Sequence, residues 1–288
     1  MTPVECFGVT WRNPVLLAAG TAGFGREVAE VIDLGALGGI VTKAVSLEPR
    51  HGNPAPRVAD VPGAMLNSIG LANPGLEAVR RDALPWLAAD AARAGYRVIV
   101  NVVGNRAEDF AAVVAGLRGQ SVITAFELNV SCPNVEHGGI EFGAEPGVLA
   151  ELVSRCRAAA DKPLIVKLSP ALPDPAANAR VAAQAGADGF TCVNTMPALM
   201  YHDLPPNAPR LGNGAGGLSG PPLLPVGVRM TKIVREATGL PVIGVGGIRS
   251  GGDARQYFQA GASLVAVGTA ALADPRAPER IARELNHG

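Results

Sequence analysis

Eight short apolar runs alternate with eight helix-like segments along the whole chain, and this alternation limits the fold more than any other feature of the sequence. The runs are 15–19, 39–42, 97–102, 125–129, 164–168, 189–193, 242–245 and 263–267. Each is continuously apolar rather than alternating, which suits parallel strands covered on both faces. The helical segments are 27–34, 76–94, 107–117, 147–160, 175–185, 225–238, 252–260 and 278–285. Gly35, Gly95, Gly186, Gly239 and Gly261 each stand where a left-handed cap ends a helix. The pattern predicts an α/β fold, a (β/α)8 TIM barrel, as one domain over residues 1–288. A doubly wound open sheet is the alternative, but the first run lacks the Gly-x-Gly-x-x-Gly turn of that fold. Residues 4–11 read as an N-terminal hairpin that plugs the bottom of the barrel. Gln-Ala-Gly-Ala occurs before the sixth run (184–187) and before the eighth (259–262), either as a shared turn or as a trace of half-barrel duplication.

Composition removes several classes of function. Lys and Arg together number 25, as do Asp and Glu, so the basic face of a nucleic-acid binder is not expected. The four cysteines, Cys6, Cys132, Cys156 and Cys192, form no Cys-x-x-Cys pair, so this chain is predicted to carry no iron–sulfur cluster and no metal. No stretch of 18 apolar residues is present, and the first residues lack a basic flank followed by an apolar core; the expectation is a cytoplasmic protein that does not contact membranes.

Two stretches break the regular pattern, 44–74 and 196–222, both rich in Pro and Gly. Both follow strands, so both are predicted as long loops on the C-terminal face, where barrels of this kind keep their sites. Polar residues collect at the same ends of the strands: Lys43, Asn101, Asn129, Lys167, Asn194 with Thr195, Gly246 with Gly247, and Gly268 with Thr269. Only four of the 25 basic residues are lysines, and two of them fall in this set. A polar residue beside a loop is common taken singly, but a set that converges on one pocket is not. The glycines at 244–247, 251–252 and 268, with the cluster 216–220, offer bare backbone N–H groups for a phosphate. Cys132 lies in the polar loop Asn129-Val130-Ser131-Cys132-Pro133-Asn134 and suits acid–base work, whereas Cys156 and Cys192 read as small buried hydrophobes. His51 and His202 read as solvated loop residues. On these residues alone, a flavin barrel and a phosphate-binding lyase that uses Lys43 or Lys167 as a Schiff-base amine both remain open.

Val41-Thr42-Lys43-Ala44, Leu47-Glu48-Pro49-Arg50, Gly52-Asn53-Pro54 and Pro56-Arg57 resemble the dihydroorotate dehydrogenase family. So do residues 66–75, 129–134, Val166-Lys167-Leu168-Ser169-Pro170 and 216–221, in order along nearly the whole chain. Cysteine at 132 is similar to the soluble class 1, and Asn-Pro-Gly at 73–75 is similar to the catalytic subunit of its NAD-linked type. The resemblance implies oxidation of dihydroorotate to orotate in pyrimidine biosynthesis, with one FMN per chain. It implies that Thr21, Lys43, Ala44, Asn101, Asn129, Lys167, Val193, Gly220, Gly246, Gly247, Gly268 and Thr269 bind FMN. The substrate would be gripped by Lys43, Asn67, Ser68, Ile69, Gly70, Leu71, Asn129, Asn194 and Thr195, with Cys132 as the catalytic base. FAD and a 2Fe–2S cluster are expected only in a partner electron-transfer subunit, on a homodimer core that forms a heterotetramer. The stretch 196–214 departs from the family pattern in its apolar, Pro-rich character. A related barrel acting on another dihydropyrimidine, and a fumarate-linked enzyme, are the alternatives.

Overall fold

The computed structural model describes residues 3–131, 133–134, 140–203 and 207–286. Strands β1 (Val4–Cys6) and β2 (Val9–Trp11) form an antiparallel hairpin with Cys6 opposite Val9. Phe7 and Gly8, the two residues between them, both take positive φ, as tight two-residue hairpins require. Strands β3 (Val15–Leu17) and β4 (Gly39–Val41) begin the barrel, and β5 (Val58–Val61) and β6 (Ala64–Asn67) leave it as an arm. After α1 (Leu76–Ala78), a π-type turn (Val79–Ala83) and α2 (Leu84–Ala94) come β7 (Arg97–Val102), α3 (Ala107–Gly116) and β8 (Ile123–Asn129). A short hairpin, β9 (Pro133–Asn134) and β10 (Ile140–Glu141), precedes α4 (Pro146–Ala159), β11 (Leu164–Leu168), α5 (Pro175–Gln184) and β12 (Gly189–Cys192). A second arm, β13 (Met196–Ala198) and β14 (Gly216–Ser219), leads to a 3-10 turn (Pro221–Leu223) and α6 (Leu224–Thr238). The chain ends with β15 (Val242–Val245), α7 (Gly251–Gln259), β16 (Leu264–Val267), α8 (Thr269–Ala273) and α9 (Ala277–Glu284).

Strands β3, β4, β7, β8, β11, β12, β15 and β16 pair in parallel in that order, and β16 returns to β3 to close the barrel. All eight match the apolar runs of the sequence. Alternate residues point inward: Leu16, Val41, Ile99, Ala125, Ile165, Ile243 and Leu264 fill the barrel, while their neighbours pack beneath the helices. The N-terminal hairpin does plug the bottom. Trp11 is fully buried, and its indole N–H donates to the Cys6 carbonyl at 2.9 Å. Glycine begins β4 and β12 for this reason: a Cβ on Gly39 would lie 2.9 Å from the Trp11 ring, and one on Gly189 would run into the Phe7 ring.

Two expectations are corrected. Residues 27–34 form successive turns and then a 3-10 turn, Leu34–Ala36, instead of an α-helix. The Glu27 carboxylate folds back to accept from the Phe24 N–H at 2.9 Å, and Val28, Val31 and Ile32 disfavour a helix this short. Gly35, read as a helix cap, therefore lies inside that turn, while Gly95 and Gly239 take the left-handed conformation at the ends of α2 and α6. The second correction concerns the long loops. The stretches 44–74 and 196–222 each contribute two strands to one antiparallel sheet, in the order β13-β14-β6-β5. Since β5–β6 follow β4 and β13–β14 follow β12, this sheet stands on the C-terminal side of the barrel.

Candidate active site

The inward rows of the barrel change from apolar to polar at the C-terminal ends of its strands. Ile99 is followed two residues later by Asn101, Ala125 by Glu127 and then Asn129, and Ile165 by Lys167. Because side chains alternate along a strand, these residues share the inner face. The register sets them side by side: Asn101 opposite Glu127, Asn129 opposite Lys167, and Lys167 opposite Thr191.

Glu127, which the sequence reading did not single out, is at the centre. Its side chain is 1% exposed. One carboxylate oxygen accepts from Asn101 Nδ2 at 2.7 Å and lies 3.8 Å from Lys167 Nζ; the other accepts from Thr191 Oγ1 at 2.7 Å. The Asn101 Oδ1 atom is buried with no hydrogen-bond partner. The signal for Glu127 was its even spacing from Ala125 and Asn129.

A second polar chain descends from the sheet above the barrel. Asn67 Nδ2 donates to the Gly217 carbonyl at 3.3 Å, and Thr195 occupies the space where a Gly217 Cβ would stand. The Thr195 N–H donates to Asn194 Oδ1 at 2.8 Å, and Asn194 Nδ2 donates to Asn129 Oδ1 at 3.0 Å. Asn67, Asn129, Asn194 and Thr195 are thus brought together, although they come from four different segments. Ser68, Ile69, Gly70 and Leu71 form the adjoining turn. Asn53, also missed, builds it by donating through its side chain to Ser68 Oγ at 2.7 Å and through its backbone to the Ile69 carbonyl at 3.1 Å. Leu71 takes φ +56°, a left-handed strain of the kind that concentrates at functional sites.

Glycines from three segments, Gly220, Gly246 with Gly247, and Gly268, lie around the turn after β14. A Cβ on Gly247 would lie 2.6 Å from the Leu224 N, and one on Gly220 would lie 3.7 Å from Thr269 Cγ2. Thr269 Oγ1 donates to Ser219 Oγ at 2.8 Å. The helical turn that starts after Gly268 has no side-chain cap, so its first N–H groups are left for a ligand, whereas the turn after Gly220 begins Pro221-Pro222 and its Leu223 N–H donates to the Gly220 carbonyl at 3.0 Å. The start of α7 is different and corrects the expectation for Gly251 and Gly252: Ser250 caps it, and the Glu284 carboxylate takes the Gly251 N–H at 2.6 Å. Of the remaining residues, Thr21 Oγ1 donates to the Ala18 carbonyl at 2.6 Å, and the Lys43 N–H donates to the Gly23 carbonyl at 2.7 Å. No side-chain partner holds the Lys43 ammonium among the described residues. Ala44 and Val193 are buried, and a cis peptide bond joins Cys192 to Val193. Cys132 lies outside the described residues; the neighbouring Ser131 Oγ is buried without a partner. Glu141 lies opposite Pro133, and burial pushes its carboxyl above the ordinary carboxylate range despite a hydrogen bond from Ser169.

His51 and His202 are exposed, and Cys156 and Cys192 are buried, as the sequence suggested. A surface cleft of about 410 Å³ lies elsewhere, between residues 29–35, α2 and α9. It contains none of the predicted site residues, and its Arg93 is paired with Asp90.

A family model for dihydroorotate dehydrogenase matches residues 1–288. The chain is 46% identical over 282 residues to the dihydroorotate dehydrogenase B (NAD(+)) catalytic subunit of Bacillus thuringiensis, which covers 98% of this chain and 90% of the relative. It is 45% identical to the subunit of the same name from Citrifermentans bemidjiense, covering 98% of this chain and 91% of that one.

Proposed function

The chain belongs to the dihydroorotate dehydrogenase family, and from that premise we propose that it oxidises (S)-dihydroorotate to orotate in de novo pyrimidine biosynthesis, with FMN held at the barrel mouth. The observation that carries the cofactor is the pairing of a buried, unpartnered carbonyl at Asn101 with the uncapped helical start after Gly268 and the positive-φ glycines Gly246 and Gly247 beside it. That combination fits a planar ring bearing an N–H and a phosphate, which FMN provides. When bound, FMN would supply the acceptor for the hydride that leaves C6 of the substrate.

The chain's own residues do the rest. Gly246, Gly247, Gly268, Thr269 and the Gly220 turn would hold the phosphate. Thr21, Lys43, Ala44, Asn101, Asn129, Lys167 and Val193 would surround the ring. The amides of Asn67, Asn129 and Asn194, with Thr195 and the 68–71 turn, offer donors and acceptors to a pyrimidine, and the unpaired Lys43 ammonium offers a charge to its carboxylate. Cys132 would act as the base, taking the C5 proton as thiolate; a positioned base contributes about 10²–10⁴ in rate.

Electrons would leave through a second subunit that carries FAD and a 2Fe–2S cluster and reduces NAD. Two observations support this: the relatives are named as NAD(+)-type catalytic subunits, and this chain has no Cys-x-x-Cys pair, while its Gly-x-Gly-x-x-Gly spacing at 212–217 leads into β14 and not into the helix that a dinucleotide fingerprint needs. A homodimer core is supported by apolar side chains exposed on the arms, Val58 at 48%, Leu199 at 47% and Tyr201 at 50%.

The test is an anaerobic visible spectrum before and after addition of dihydroorotate. A flavin band that bleaches supports the assignment, and Cys132→Ser should keep the band while slowing its bleaching about 10²–10⁴-fold at neutral pH. A band that responds to dihydrouracil but not to dihydroorotate moves the substrate to another pyrimidine. A protein that binds no FMN, and is trapped by borohydride with a sugar phosphate, is a lyase instead.

A further inference from the structure

We propose that Glu127 is the positioning residue of this site: it fixes the Asn101 amide and the Lys167 ammonium toward the flavin, and its charge lowers the flavin's reduction potential. The inference rests on the FMN reading above and concerns a residue outside the family's binding pattern as read from the sequence.

A carboxylate has acceptors only, so every group that faces it must donate. Asn101 therefore turns Nδ2 to Glu127 at 2.7 Å, which leaves Oδ1 on the opposite side of the amide, buried and without a protein donor. With a neutral amide in place of the carboxylate, either end of Asn101 could face it, and the acceptor would no longer be committed to the ligand.

Lys167 is held differently. Its Nζ lies 3.8 Å from the carboxylate, beyond the roughly 2.7–2.9 Å of a close charge-assisted hydrogen bond. The ammonium is attracted to Glu127 without being captured, and its three N–H donors stay available to a ligand.

Packing alone gives no reason for an acid at this position. A buried ion pair is often matched or bettered in stability by well-packed apolar residues of similar volume. Here a carboxylate that is 1% exposed is retained, and Thr191 Oγ1 is spent on holding its second oxygen at 2.7 Å.

The charge has a consequence for electron flow. Lys167 alone would stabilise a negatively charged reduced ring and make the flavin a stronger oxidant. Glu127 offsets that cation at close range in a dry site, so the reduced flavin remains able to pass electrons to a weak acceptor such as a nicotinamide.

The experiment measures two quantities on the full-length protein, the FMN dissociation constant and the flavin midpoint potential, for wild type, Glu127→Gln and Glu127→Asp. Glu127→Gln should weaken FMN binding at least tenfold and raise the potential by about 30 mV, a tenfold shift toward the reduced form for a two-electron couple. Glu127→Asp keeps the charge but shortens the reach, so it should weaken FMN binding by a similar factor while moving the potential less than half as far. A potential that is unmoved or lower in Glu127→Gln overturns the electrostatic role, and unchanged FMN affinity overturns the orienting role. If Glu127→Gln does not fold, Glu127→Asp decides by the same affinity criterion. A wild-type chain that takes up no FMN overturns the cofactor reading as well; FMN uptake with both variants unmoved overturns only the role of Glu127.

Discussion

Three of the four cysteines, Cys6, Cys156 and Cys192, are buried. Desolvation pushes the Cys6 thiol up to about 11 and the Cys156 thiol up to about 12, and it raises Cys192 further still. At pH 8 only about 0.1% or less of each is thiolate, and the thiolate is the form that reacts. Iodoacetamide at pH 8 is therefore expected to modify native protein quickly at Cys132 alone, and Cys132→Ser should leave no fast-reacting thiol. Labelling of the three buried thiols should rise only as the pH approaches their raised values or the protein unfolds; peptide mass mapping checks both. The same scale explains what could be read in advance. Lys43, Asn101, Asn129 and Lys167 were legible because each polar residue stands within one position of the C-terminal end of an apolar run. Glu127 lies inside its run, and only its spacing from Ala125 and Asn129 shows that it belongs to the inner face. Asn53 was not legible because what it organises, the turn at 68–70, lies 15 residues further along the chain.

Among the elements, regular strands could be read and irregular ones could not. The eight barrel strands are continuous apolar runs, and all eight are present. The segment 76–94 is helical as expected, but Pro85 lacks an N–H and crowds the carbonyl four residues before it, and a π-type turn spans Val79–Ala83 at that point. The arms were hidden for another reason. Gly216-Gly217-Leu218-Ser219 has little β propensity, yet β14 forms because β6 and β13 supply partners on either side. The glycine requirement of the phosphate cradle belongs to this scale too. Gly247 takes φ +73°, and a Cβ there would lie 2.6 Å from the Leu224 N. Gly247→Ala should cost at least about 1–2 kcal/mol from the left-handed backbone alone, and the contact with α6 should open the cradle and weaken FMN binding. Urea unfolding and FMN titration measure the two effects; an alanine variant with wild-type affinity would falsify the role of this turn.

For the molecule as a whole, closure of the barrel follows from the order of its strands, but assembly depends on surfaces that the sequence pattern does not mark. Arg210 donates to the carbonyls of both Tyr201 and Asp60, so the two arms present their exposed apolar residues from one connected unit. Light scattering should give twice the chain mass of 29.4 kDa, and Leu199→Glu with Tyr201→Glu should shift it to the monomer without loss of helical signal. A double variant that stays dimeric would move the interface elsewhere. The sheet above the barrel also sets a schedule. Asn67 and Gly217 meet across 150 residues of chain. As the polypeptide leaves the ribosome, β5 and β6 emerge well before β14, and their sheet stays incomplete until six of the eight barrel strands have been made. The roof of the site is therefore completed late in synthesis, so a truncated or half-folded chain lacks the enclosure needed to retain a flavin, and flavin retention marks a finished molecule.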